Sequence, residues 1–234
     1  VIHDDASTDN TVKILKEYQQ KYPDKIILIL EKENQYSKNP NSVLEIVFKK
    51  ARGKYIALCE GDDGFCDEHK LSMQYNYLET TNCIFCSHNT KVIDNNNNFI
   101  NNIEPYNKEL ITINDFLENR RSMHTSSMFF YKKDVLKLPE FFYKSLVGDL
   151  PLKLYLLSKG NCYHINKVCS YYRENSNNSW SVKQKKQKEI KYNNFVSEIN
   201  TYKNFNKYTN YKYNKQINER ITTQEFNYYK NMNE

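Results

Sequence analysis

Lys54-Tyr55-Ile56-Ala57-Leu58-Cys59-Glu60-Gly61-Asp62-Asp63 joins a short apolar run to three carboxylates in four positions. The run from Tyr55 to Cys59 lies between Gly53 and a glycine–acid cluster. That pattern predicts a buried strand whose C-terminal end reaches a surface cleft. Carboxylates this close repel one another unless a cation sits between them. Hard oxygen ligands suit Mg²⁺ or Mn²⁺, which can in turn hold a substrate phosphate. A solvated acidic turn is the competing reading of Glu60 to Asp63 taken alone.

Working outward, Val1 to Asp5 reads as the end of a strand, followed by Ser7, Thr8 and Asp9, all residue types that cap helices. Val12, Leu15, Tyr18 and Tyr22 then recur at helical spacing up to Pro23. Ile26 to Leu30 is an unbroken apolar run, as in a strand buried on both faces. Val43, Leu44, Val47 and Ala51 make a second helical face, closed by Gly53. The first sixty residues therefore alternate β-α-β-α-β, which implies a parallel sheet covered by helices. Ligands of such sheets bind at the carboxyl ends of the strands. Asp4-Asp5 and Glu60–Asp63 both fall there. Further on, Leu71, Tyr75 and Leu78 predict one helical face, and Cys83–Ser87 a strand. A hairpin is expected around Asn95–Asn98, a helix over 113–119 and a strand over 127–131. A helix follows Gly148-Asp149 and ends at Gly160, and two short strands cover 162–165 and 168–172. Helical spacing resumes at Phe195, Ile199 and Tyr202.

With 234 residues, 39% of them hydrophobic, the chain can bury one real core with an appendage. No run approaches the roughly 20 apolar residues of a membrane-spanning helix. The chain begins inside the apolar Val1-Ile2 without Met, so an upstream segment is expected. Six dispersed Cys fit a reduced, cytosolic compartment. Cys83-Ile-Phe-Cys86 with His88 lacks a second cysteine pair for zinc and reads as core strand. The net charge of +6 is not spread evenly. Residues 183–234 hold 11 basic and 5 acidic residues, and 1–182 is neutral. A nucleic-acid enzyme would line its cleft with the excess, so no nucleic-acid partner is expected.

Asp4-Asp5-Ala6-Ser7-Thr8-Asp9-Asn10-Thr11 resembles the opening signature of family 2 glycosyltransferases, inverting enzymes with the A-type nucleotide-sugar fold. Glu33-Asn34-Gln35-Tyr36-Ser37-Lys38, Ala51-Arg52-Gly53-Lys54-Tyr55-Ile56 and Glu60-Gly61-Asp62-Asp63 follow in the family's order. So do Thr125-Ser126-Ser127-Met128-Phe129 and Gly148-Asp149-Leu150-Pro151-Leu152, and Tyr172-Arg173 to Trp180-Ser181 resembles the end of the catalytic module. The resemblance covers about residues 1–181. It implies an α/β fold, a mostly parallel Rossmann-like sheet with flanking helices, followed by a helical tail. It further implies Asp63 and Asp62 as metal ligands for Mg²⁺ or Mn²⁺, and Asp4, Asp5, Asp62 and Arg173 as contacts to a nucleotide-diphosphate sugar. Asp149 is implied as the base that deprotonates an acceptor hydroxyl on a glycan or lipid-linked acceptor. Read without the resemblance, Asp149 is a helix N-cap, and Arg173 pairs equally well with a diphosphate or a carboxylate. His124 could approach the acceptor, although a lone His near a strand is more often hydrogen-bonded structure.

The family's opening strand and helix have no counterpart in residues 1–234, and a sheet without that strand would expose an apolar edge. Gly64-Phe65-Cys66 stands where relatives are usually aromatic, and Asn39 where many carry Gly. The expected organisation is a nucleotide-sugar half over 1–100, an acceptor half over 101–182 and a basic helical tail over 183–234. The expected function is inverting, metal-assisted sugar transfer in cell-surface glycan or polysaccharide synthesis, at a cytoplasmic location. The tail would give weak, salt-sensitive attraction to anionic membrane surfaces or acidic glycans, and a solvated helical face is the equal competing reading. The alternative is a non-catalytic remnant or binding module of the same fold. A nucleotidyltransferase would need a Gly-rich phosphate loop, which the N-terminus lacks.

Overall fold

The computed structural model describes residues 1–38, 40–119, 123–174 and 188–230. Trp180, Ser181 and the first residues of the basic tail lie outside them. In chain order the elements are β1 (Ile2–Asp4), α1 (Thr11–Lys21), β2 (Leu28–Leu30), α2 (Pro40–Lys50), β3 (Tyr55–Ala57), β4 (Gly64–Phe65) and α3 (Lys70–Thr80). Then come β5 (Phe85–Ile93), β6 (Phe99–Asn102), β7 (Leu110–Ile111), α4 (Ile113–Glu118), β8 (Phe129–Tyr131), α5 (Glu140–Tyr143) and α6 (Asp149–Lys159). β9 (Cys162–Arg173), α7 (Lys188–Tyr208) and α8 (Asn214–Lys230) complete the described chain. The fold is α/β with flanking helices and helices at the C-terminus, as expected; its central sheet is mixed, parallel at β5–β9 and antiparallel at its other pairings.

The alternation of the first sixty residues is present, and β1 and β2 pair in parallel with Ile2 opposite Leu28. These two strands form a sheet of their own. β3 instead joins a second sheet of order β3-β8-β5-β9-β4, with β6 on β5 and β7 on β9. The spine of that sheet is the parallel pair β5–β9. β9 is one strand where the sequence suggested two; its register against β5 shifts around Asn89, opposite Ile165 and Val168. The Asn166-Lys167 interruption in the apolar pattern is a bulge rather than a break. The predicted hairpin is β5–β6, with Asn97 at positive φ in its turn.

α3 turns a different face inward from the one its large apolar residues suggest. Lys70, Gln74 and Leu78 are buried, whereas Leu71 and Tyr75 are exposed. Gln74 reaches the Ser127 carbonyl at 2.7 Å and accepts from Lys70 at 2.8 Å, while the Lys70 ammonium sits 4.0 Å from the Phe65 ring centre. A specific polar bridge to the strand behind has overridden simple hydrophobic spacing.

The main core gathers Phe48, Phe85, Phe116, Phe130, Phe142, Leu152 and Leu154 with Tyr202, Phe205, Ile217 and Ile221. The last four belong to α7 and α8, so the tail helices complete this core rather than hang from it. Each such side chain contributes about 1.5–3 kcal/mol by burial. Between the two sheets runs a cleft of 650 Å³ whose walls are β1 and the β3 segment, with Leu44, Val47 and Phe48 of α2 along it. Among the described residues no helix is long and apolar enough to cross a membrane.

Candidate active site

The acidic strand end lies at one mouth of that cleft, which Cys59, Glu60 and Gly61 line together with Thr125. Asp63 turns inward. Its side chain is 1% exposed, and Oδ1 accepts from the Arg173 backbone N–H at 3.1 Å. Glu60 and His124 supply the other donor atoms of a group lying within 4.8 Å of one another. His124 Nδ1 is 3.8 Å from Asp63 Oδ2. Burial, opposed by the Arg173 amide and reinforced by the Glu60 and Asp62 carboxylates, raises the Asp63 carboxyl well above the usual range. Burial raises Glu60 too. Burial and the Lys153 ammonium hold His124 down at about 4, against Asp149 and Asp62. His124 is therefore neutral at pH 7, and its contact with Asp63 is not an ion pair. Two paired carboxyl groups, Asp63 and Glu60, beside a neutral imidazole fit a divalent cation that would take the place of the proton they share. Asp62 is exposed, and its carbonyl accepts from Arg173 Nε at 3.2 Å.

Asp149 is the first residue of α6, and Gly148 occupies the N-cap position, so the cap reading of Asp149 does not hold. Its Oδ2 accepts from Lys153 Nζ, one turn on, at 2.8 Å, with the Lys153 side chain 5% exposed. The charges of Asp149 and Lys153 act on both Glu60 and His124. The start of α6 and the acidic strand end therefore face one site. Two glycines permit this. A Cβ on Gly148 would meet Asn41 Oδ1 at 2.8 Å and Leu44 Cδ1 at 2.7 Å, so only glycine lets α6 start this close to α2. A Cβ on Gly64 would lie 2.3 Å from the Tyr171 hydroxyl, which covers the backbone just after Asp63.

The remaining sequence candidates have other immediate partners. Asp4 is buried and accepts from the Ser7 backbone and hydroxyl, shaping the turn after β1. Asp5 accepts from the backbone amides of Gln35 at 2.6 Å and Tyr36 at 2.9 Å, and so pins the 33–38 loop. That loop brings Tyr36 within the field of Asp149, which together with burial raises the phenol. The Arg173 guanidinium donates to the carbonyls of Asp62 and Asp94 and ties the acidic motif to the β5–β6 turn. Lys153 was missed in the sequence, although an acid and a lysine four apart on one helix are a legible pair. His124 was read as structure, and only its folding against Asp63 brings it into the group.

Residues 1–138 match the family model described as glycosyl transferase family 2. The uncharacterized protein Rv1520 of Mycobacterium tuberculosis is 43% identical over 97 residues, 40% of this chain and 26% of that protein. An uncharacterized glycosyltransferase of Nostoc sp., alr2836, is 30% identical over 100 residues, 43% of this chain and 30% of its own length. The matches thus span about a quarter to a third of these relatives. Among solved structures, S. aureus TarS 1-349 in complex with UDP superposes with a TM-score of 0.53, covering 98% of this chain and 81% of that one at 12% identity. At that identity the likeness is one of fold.

Proposed function

Because the chain belongs to glycosyl transferase family 2, we propose that it moves a sugar from a nucleotide-diphosphate donor to an acceptor hydroxyl, with inversion and with a divalent metal. The observation that carries this reading is the cluster of Glu60, Asp63 and His124 donor atoms within 4.8 Å of one another, on which the Asp149–Lys153 pair at the start of α6 acts electrostatically. A base and a cation-holding carboxylate facing one site are what direct displacement at an anomeric carbon requires. Asp149 takes the proton of the acceptor hydroxyl as oxygen attacks from the face opposite the leaving group. Lys153 fixes the rotamer of that carboxylate. Asp63, with Glu60 or Asp62, would hold Mg²⁺ or Mn²⁺, which supplies charge neutralisation for the departing diphosphate. Asp5 positions the 33–38 loop and Tyr36 over the site. Asp4 shapes the turn that presents Asp5 to the nucleotide, and Arg173 sets the position of Asp62 and Asp63. A glycan or lipid-linked acceptor and cell-surface polysaccharide synthesis follow from the family resemblance, a cytoplasmic setting from the six dispersed Cys, and a weak pull toward anionic membranes from the basic residues of 183–234.

The test is release of nucleoside diphosphate from a panel of nucleotide sugars with Mn²⁺, alongside thermal melting with UDP and Mn²⁺. Asp149→Asn is expected to lower turnover by about 10²–10⁴-fold while keeping the UDP–Mn²⁺ stabilisation; Asp63→Asn is expected to lose that stabilisation. The second reading is a nucleotide- or glycan-binding module of the same fold without turnover. Stabilisation by UDP–Mn²⁺ with no diphosphate release from any donor would establish it and refute transfer.

A further inference from the structure

We propose that His124 is a third protein ligand beside Glu60 and Asp63, giving a mixed oxygen–nitrogen site that prefers a first-row transition ion such as Mn²⁺ over Mg²⁺. The inference rests on the metal reading above and goes past it by naming the nitrogen donor and the class of ion.

Three observations carry it. The donor atoms of the three residues lie within 4.8 Å of one another. An ion with bonds of about 2.1 Å places neighbouring donors roughly 3 Å apart and opposite ones roughly 4.2 Å apart, and the Nδ1–Oδ2 distance of 3.8 Å falls inside that range. Asp63 Oδ2 is buried and lies on the His124 side of the group. The imidazole is also placed by packing, with the Tyr172 ring 4.9 Å from its centre. His124 Nδ1 now meets Ser126 Oγ at 2.9 Å and the Ser126 backbone N–H at 3.3 Å, and an ion on that nitrogen replaces both contacts. A nitrogen donor strengthens binding of transition ions and does little for Mg²⁺, which favours oxygen.

The experiment uses the full chain with Mn²⁺ alone as probe. Affinity is read by electron paramagnetic resonance, nitrogen ligation by spin-echo modulation from ¹⁴N, and Mg²⁺ by competition. The expected result is ¹⁴N modulation in the wild type that His124→Gln abolishes, with Mn²⁺ affinity falling about 10- to 100-fold and Mg²⁺ affinity changing far less. Mn²⁺ binding that Asp63→Asn removes but that shows no ¹⁴N coupling would overturn the inference and leave the metal reading standing. No Mn²⁺ binding to the wild type would overturn both. If His124→Gln does not fold, the wild-type ¹⁴N signal decides alone.

Discussion

The β1–β2–α1 unit and the β5–β9–α6 body border the same site with very different amounts of burial. α1 has no buried residue, and all three residues of β2 are half-exposed. In contrast α6 buries eight of its eleven residues, and most of β5 is buried. The cleft lies between the two and leaves β1 and β3 unpaired with each other. Local opening free energy follows buried contact. The side of the site that carries Asp4 and Asp5 therefore opens at lower cost than the side that carries Asp149. A transferase with this arrangement would keep its base on the rigid wall and let the opposite wall adjust to the donor.

Core truncation on the two sides is the strongest way to break the comparison. Phe205→Ala, in the core shared by α5, α6 and α7, is expected to cost about 3–5 kcal/mol in urea unfolding. Lys70 sharpens it next, because it places a buried ammonium within the body. Burial lowers its pKa from 10.5 to about 8. Between those values the unfolded chain binds more protons, so the strain is full below pH 8 and stability rises with pH up to 10.5. Lys70→Met should flatten that rise, by about 3 kcal/mol at most. The measure is the difference between wild-type and variant slopes; equal slopes would refute it. Gly148→Ala should cost about 1–3 kcal/mol through its overlap with Asn41 and Leu44. It should also lower turnover more than it lowers binding of UDP–Mn²⁺, because it displaces Asp149. Smallest of all, Ile14→Ala on the exposed face of α1 should stay within about 0.5 kcal/mol. A loss comparable to that of Phe205→Ala would erase the contrast between the halves.

Much of this was legible in the residues. Glycine and acid after a short apolar run placed the site at the end of β3, and Gly148 with Gly160 framed α6. What stayed hidden depended on partners distant in sequence. Nothing around Lys70 announces that Gln74 will bridge to Ser127, so the wrong face of α3 looked buried. The pairing of β3 with β8, rather than with a neighbour in sequence, is a tertiary choice that helix and strand periodicity cannot encode. The tail helices read as an appendage because Tyr202 and Phe205 are sparse among Asn and Lys, yet both are fully enclosed. His124 looked like ordinary structure because its closeness to Asp63 spans sixty residues of chain.

The Arg173 strap has a consequence for anyone who engineers this protein. The Asn95–Asn98 turn is exposed and polar, the kind of place usually chosen for an affinity tag or a fluorescent label. Asp94 at its base holds that turn through Asn96 and Asn98 and gives its carbonyl to Arg173 at 2.9 Å. The same arginine holds Asp62 and Asp63. A tag inserted there would pull on the acidic motif through the backbone and side chain of one residue, Arg173, so a reporter belongs on the outer face of α1 instead.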